Sequence, residues 1–152
     1  MHRALADLSA VLLKCRASSE FEPRAYASLL PHIYILDVEL PEGSPPLLKV
    51  RLSGTSLDQI FQRTTKGHYL HEYIHGPRGD DVLSAFRSCA TTQGAMWLRQ
   101  VVQISDRPAR YIEGIAVWLA PDRIYGGLIA GALAGPSETA FERADLTRLL
   151  SR

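Results

Sequence analysis

WLRQVVQI (Trp97–Ile104), YIEGIAVWLA (Tyr111–Ala120) and IYGGLIAGA (Ile124–Ala132) follow one another in the last third of the chain as three apolar, β-rich runs. Two of the breaks between them read Ser105-Asp106-Arg107-Pro108 and Ala120-Pro121-Asp122-Arg123. A parallel crossover needs a dozen or more residues, so runs this closely spaced pair as antiparallel neighbours. The stretch predicts a three-stranded antiparallel meander, around which the rest of the chain is arranged.

Both faces of that meander are apolar. Ile112, Ala116 and Trp118 face opposite to Ile115, Val117 and Leu119, and the run from Ile124 to Ala134 is almost wholly apolar. A sheet greasy on both sides has to be covered on both, because exposing it forgoes roughly 25 cal/mol per Å². The N-terminal segment offers one cover: Leu5, Leu8, Leu12 and Cys15 recur at helical steps and form one apolar stripe. That helix either packs on its own domain or makes a dimer contact, and Leu5, Leu8, Leu12 and Trp118 are the candidate partner residues. Gly126, Gly127 and Gly131 leave room for a helix or ligand to approach the last strand closely, or else mark bends.

Upstream, Pro23 precedes a short helix over Arg24–Leu30, and Ile33–Leu40 and Leu47–Ser53 read as strands joined by the loop Pro41-Glu42-Gly43-Ser44-Pro45-Pro46. In the first strand Tyr34, Leu36, Val38 and Leu40 share a face. In the second, Leu48, Val50 and Leu52 alternate with Lys49, Arg51 and Ser53. A helix start at Thr55 or Ser56 follows, with Leu57, Ile60 and Phe61 at helical spacing, and Gly67 ends that unit. Asp80–Thr92 is a helix with Val82, Leu83, Phe86 and Cys89 on one side. Ser137–Leu150 is a second helix, with a capping box at Thr139 to Glu142 and apolar contacts from Phe141, Leu146, Leu149 and Leu150. Two strands, a helical block and three more strands make an α+β domain with helices on one face of the sheet.

With 152 residues, 46% hydrophobic and 22% charged, the chain suits one domain: a helix over residues 1–20, a body over 21–134 and a terminal helix over 135–152. Seventeen Lys and Arg against 16 Asp and Glu give a net charge of +1, which disfavours non-specific nucleic-acid or anionic-membrane binding. Cys15 and Cys89 are too few for a disulfide scaffold, and no apolar run approaches a membrane span, so the expected address is cytoplasmic.

The order β-β-α-α-α-β-β-β resembles the PAS domain. The wording is similar to a small standalone bacterial PAS family in three places: Leu30-Pro31-His32-Ile33-Tyr34-Ile35-Leu36-Asp37-Val38, Val50-Arg51-Leu52-Ser53-Gly54-Thr55, and Thr65-Lys66-Gly67-His68-Tyr69-Leu70-His71-Glu72. The resemblance spans roughly Phe21 to Gly131, and no residue in its motifs is catalytic. It implies a sensory or interaction module: a five-stranded antiparallel sheet whose concave face and helices enclose a small cavity. Candidate ligand-binding residues are Phe61, Tyr69, Tyr73, Phe86, Trp97 and Leu98, each of which also reads as ordinary core.

Cofactor chemistry finds little in the residue types. A photoactive flavin PAS needs a cysteine in the short helix before the long one, and none lies between Cys15 and Cys89; Asp80–Thr92 has no histidine to ligate haem. His68, His71 and His75 have possible metal spacing, with Glu72 nearby, but read as solvated histidines. Arg51 pairs with a carboxylate on the neighbouring strand or meets an anionic ligand. Asp37 and Glu39 share a strand face without a pocket, and neither a nucleophile elbow nor a phosphate-binding glycine loop occurs. No cofactor and no metal are expected. The sequence therefore reads as a non-enzymatic PAS-like regulator, a homodimer that binds a small apolar ligand, a downstream signalling protein, or both. The alternatives are a ligand-free interaction module and a cone-shaped α+β enzyme of the steroid-isomerase type.

Overall fold

A computed structural model of the protein describes residues 1–16, 18, 20–74, 76–102, 110–132 and 141–151. Six strands form one antiparallel sheet: β1 (Ile33–Glu39), β2 (Leu47–Ser53), β3 (Ala95–Val102), β4 (Arg110–Leu119), β5 (Arg123–Ala132) and β6 (Phe141–Asp145). Their order across the sheet is β2-β1-β5-β4-β3-β6. The meander of β3, β4 and β5 is present with continuous register, from Ala95 opposite Val117 to Leu119 opposite Arg123.

This order dictates where the helices go. β2 lies at one edge and β3 near the other, so the chain between them must cross a face of the sheet. It does so as α2 (Thr55–Phe61), a 3-10 turn (Leu70–Glu72) and α3 (Gly76–Thr92), which cover what we call the front. α1 (Arg3–Cys15) precedes β1 in the chain and lies across the central strands β4 and β5 on the back. Strand alternation then sorts the apolar residues into two cores. Tyr34, Leu36, Val38, Ile112 and Ala116 point forward into one; Ile33, Ile35, Ile115, Val117 and Leu119 point backward into the other.

Leu5, Leu8 and Leu12 are 1%, 2% and 0% exposed, held beneath α1 by the chain's own sheet, and so offer no free stripe to a second subunit. The helix begins where the His2 side chain accepts a hydrogen bond from the Ala4 amide. The consecutive glycines of β5 serve opposite faces. A Cβ on Gly127 would come within 2.7 Å of Leu8 Cδ2, so its bareness seats the helix. One on Gly126 would lie 2.2 Å from the Ile115 carbonyl and 2.4 Å from the Tyr34 ring.

The sheet has six strands, not five, and its helices occupy both faces. Where helical spacing predicts one helix over Ser137–Leu150, residues 141–145 instead pair with β3, and the helix α4 (Leu146–Leu150) starts only afterwards. The unpaired edge of β3 outcompetes local helical preference, because a strand there closes a row of open backbone groups. Asp145 caps α4 by accepting from the Thr147 and Arg148 amides, and Leu146 enters the back core fully buried. The expected capping box begins at Thr139, outside the described residues. Two smaller differences appear upstream. Residues 24–30 divide between two 3-10 turns, Pro23–Tyr26 and Leu30–His32, and Gly54 caps α2 in place of Thr55 or Ser56. Among the described residues no helix is long and apolar enough to cross a membrane.

Candidate functional site

The front layer leaves a small, partly open cavity between α2, the 3-10 turn and α3 on one side and β1, β2, β3 and β5 on the other. Its lining is almost entirely apolar, with Phe61, Tyr73, Phe86 and Leu98 among the walls, together with Tyr34 and Gln100. The free space is about 30 Å³, room for a water molecule or two and far below the roughly 300–1,000 Å³ of a drug-sized pocket.

Each wall follows from a local sequence pattern. Phe86 is on the inward stripe of α3 with Val82, Leu83 and Cys89, all buried. Phe61 is the last residue of α2, which stops because Gln62 takes a left-handed conformation at φ 54°. Tyr73 follows the 3-10 turn, whose start Glu72 secures by accepting the Tyr69 amide at 2.6 Å. Phe61 and Tyr73 meet edge to face, centroids 5.0 Å apart, and are the half-buried outer wall; the Arg63 guanidinium lies 5.5 Å from the Tyr73 ring. Deeper in, Tyr34 and Phe86 make a second edge-to-face pair at 6.1 Å.

The polar groups of this region differ in how they are satisfied. The Tyr34 hydroxyl donates to the Ile115 carbonyl at 2.6 Å, and burial pushes its pKa well above the ordinary tyrosine range. Burial likewise raises Tyr73. Cys89, whose thiol donates weakly to the Gly94 carbonyl, is pushed up by burial to about 12. Beside the end of β2, the Asp58 carboxylate accepts from the Thr65 amide and hydroxyl at 3.1 and 2.9 Å and from Ser53 at 3.3 Å. That cluster pins the segment after α2 against the sheet.

Of the six residues singled out as ligand contacts, the structure gathers Phe61, Tyr73, Phe86 and Leu98 and separates the other two. Trp97 is adjacent to Leu98 on β3, so the pleat turns it to the opposite face. There it packs on the back core and donates from Nε1 to Glu113 at 2.7 Å. Tyr69 lies outside the edge strand, bridged to Lys49, stacked on His71 and donating its hydroxyl to Glu39 at 2.8 Å. That hydrogen bond raises its pKa. Trp118, a candidate partner contact, is half-buried against the front core.

Arg51 and Arg123 both reach Asp37, at 3.4 and 3.2 Å, the carboxylate pairing expected for Arg51. His68 contacts Glu72 at 3.4 Å; His75, the third of the spaced histidines, lies outside the described residues. Among the described residues no three histidine, cysteine or acidic side chains converge on a metal position.

Two residues escape composition-level reading. Glu113, 6% exposed, accepts from Trp97 and from the His2 amide at 2.9 Å, tying the start of α1 to the sheet. Gln100 is 9% exposed and lines the cavity. Strand alternation carries a signal for both: Glu113 falls on the face of Ile115 and Val117, and Gln100 on that of Met96 and Leu98. Two wider clefts, about 290 Å³ between α3 and β6 and about 530 Å³ beside α2, are open grooves with more polar linings. Comparison of the chain with protein-family models, with curated proteins and with solved structures gives no match in any of the three.

Proposed function

We propose that the protein is a PAS-like sensory module. It binds a small, mostly apolar ligand in the front cavity and signals through contacts with a second copy or a downstream protein in the cytoplasm, without performing chemistry. The observation that carries this reading is the cavity between the helical block and the sheet, with four of the six expected side chains in its wall. The element order supports it: two strands, helices, three strands is the order that the PAS resemblance implies, with β6 and α4 added. The lining supports binding over turnover, since its polar groups are tyrosines and a glutamine, which suit recognition better than acid–base work at neutral pH. The cone-shaped isomerase reading is less favoured because the helical block sits between β2 and β3 and not ahead of the sheet.

A second reading, a pure interaction module, draws on the small free volume of about 30 Å³. Native mass spectrometry of the chain purified from the cell that makes it separates the two. A retained small molecule is the expected result. An apo dimer that takes up no small molecule overturns sensing in favour of the interaction module, and turnover of a bound molecule revives the enzyme.

A further inference from the structure

We propose that the cleft beside α2 is a binding site for a small organic carboxylate, held by Arg110. It shares no lining residue with the front cavity, so it goes beyond the ligand-binding reading above and does not depend on it.

At about 530 Å³ the cleft falls within the roughly 300–1,000 Å³ of small-molecule pockets. Its wall follows from a helical pattern. In α2, Leu57 serves the front core, while Ser56, Gln59 and Ile60 stand at three- and four-residue steps and bring one face of the helix to the cleft. Gln62, left-handed at the end of that helix, joins them. His32 closes one side from the 3-10 turn that leads into β1. The floor is the front of the sheet, where Ala130 on β5 and Arg110 on β4 emerge; Arg110 is two residues from Ile112 and so on the same face.

Every polar group in this lining can donate a hydrogen bond, and none is an acid. A guanidinium, two primary amides, a hydroxyl and an imidazole meet there. Among the described residues Arg110 has no carboxylate partner. The one acid of α2, Asp58, is engaged by Thr65 and Ser53 and stays out of the cleft. Nδ1 of His32 is buried without a partner. A proton there would be a donor with nothing to meet, so Nε2 is the ring nitrogen left to donate to a guest. This set suits an anion. A single positive charge with a planar fork of N–H groups matches a carboxylate, which it can hold through two parallel hydrogen bonds, better than a phosphate dianion. Ile60 and Ala130, both packed against the front core, supply a fixed apolar patch for the carbon body of the guest.

Benzoate and benzamide, alike in shape and different in charge, test this by NMR titration of the isotope-labelled full chain. Benzoate is expected to bind at least about tenfold tighter and to move the side-chain amide signals of Gln59 and Gln62. Arg110→Gln is expected to abolish that preference and leave benzamide binding unchanged. Arg110 is exposed, so the melting midpoint of the variant is expected within about 2 °C of the natural chain's. Should it fold poorly, Arg110→Lys, which keeps the charge and loses the fork, is expected to weaken benzoate and not benzamide. Equal binding of the two probes by the natural chain overturns the site, as does binding that moves neither Gln59 nor Gln62. Inorganic phosphate bound more tightly than benzoate overturns the carboxylate class. Signals that move at Gln100 alone place the guest in the front cavity, which overturns this site and favours the earlier reading.

Discussion

The two faces of the sheet are packed by different rules. On the back, one regular helix places Leu5, Leu8 and Leu12 on Ile33, Ile115, Val117 and Leu119, all but completely buried and all aliphatic. On the front, short helices, turns and one longer helix bring together aromatics, tyrosine hydroxyls, a thiol and an amide, and the fit leaves a void. A continuous helix with a three- and four-residue apolar stripe fills a groove evenly, whereas a broken helical block cannot. The back under α1 is thus the tighter layer, and the front is where the packing leaves space.

The largest expected effect tests that asymmetry directly. Leu8→Ala empties a fully packed position and is expected to cost about 4 kcal/mol, while Phe61→Ala, at the half-buried outer wall of the cavity, costs about 1–2 kcal/mol. Chemical denaturation of the two variants measures both, and equal losses would erase the distinction between the faces.

Next come the adjacent glycines of β5. Gly126→Ala drives a methyl into the Ile115 carbonyl and the anchored Tyr34 ring, neither of which can retreat, for a loss of about 3 kcal/mol. Gly127→Ala meets first the far end of the Leu8 side chain, which can rotate, so about 1 kcal/mol is expected. Thermal midpoints in the reverse order would mean that the helix, not the tyrosine, is the rigid neighbour.

The remaining effect is chemical. The Cys89 thiol in the front core is raised to about 12 by burial, and Tyr34 is raised as well. Below the ordinary thiol value both folded and unfolded chains keep the proton, and stability is unaffected. Above about pH 9 the unfolded chain loses it first, so stability falls as the pH climbs toward 12, by at most about 1.4 kcal/mol per pH unit for one group. Denaturation midpoints between pH 8 and 11 are expected to drop in the natural chain and to drop less steeply in Cys89→Ala. A flat profile would show the front core to be wetter than its packing.

Much of this is legible in the residues. Period-two alternation in Leu48, Val50 and Leu52 and in the meander marks strands, and the double-sided apolar character of Tyr111–Ala120 demands the second layer that α1 supplies. Trp97 is the instructive miss. Residue type marked it as a cavity wall, yet its neighbour Leu98 is in the cavity, and a pleated strand cannot send both the same way. Gln100 and Glu113 were invisible to residue type but follow from the same alternation once the strand is granted.

Local patterning by itself determined the strand meander, the leucine stripe and the inward side of α3, because each is set by residues within a few positions of one another. The tertiary structure alone decided that residues 141–145 complete the sheet as a sixth strand, that Tyr69 turns outward to Glu39, and that an amide, two tyrosines and two phenylalanines from distant segments surround one void. Those outcomes depend on which edges and surfaces remain unsatisfied after the sheet has formed, a competition among segments far apart in the chain.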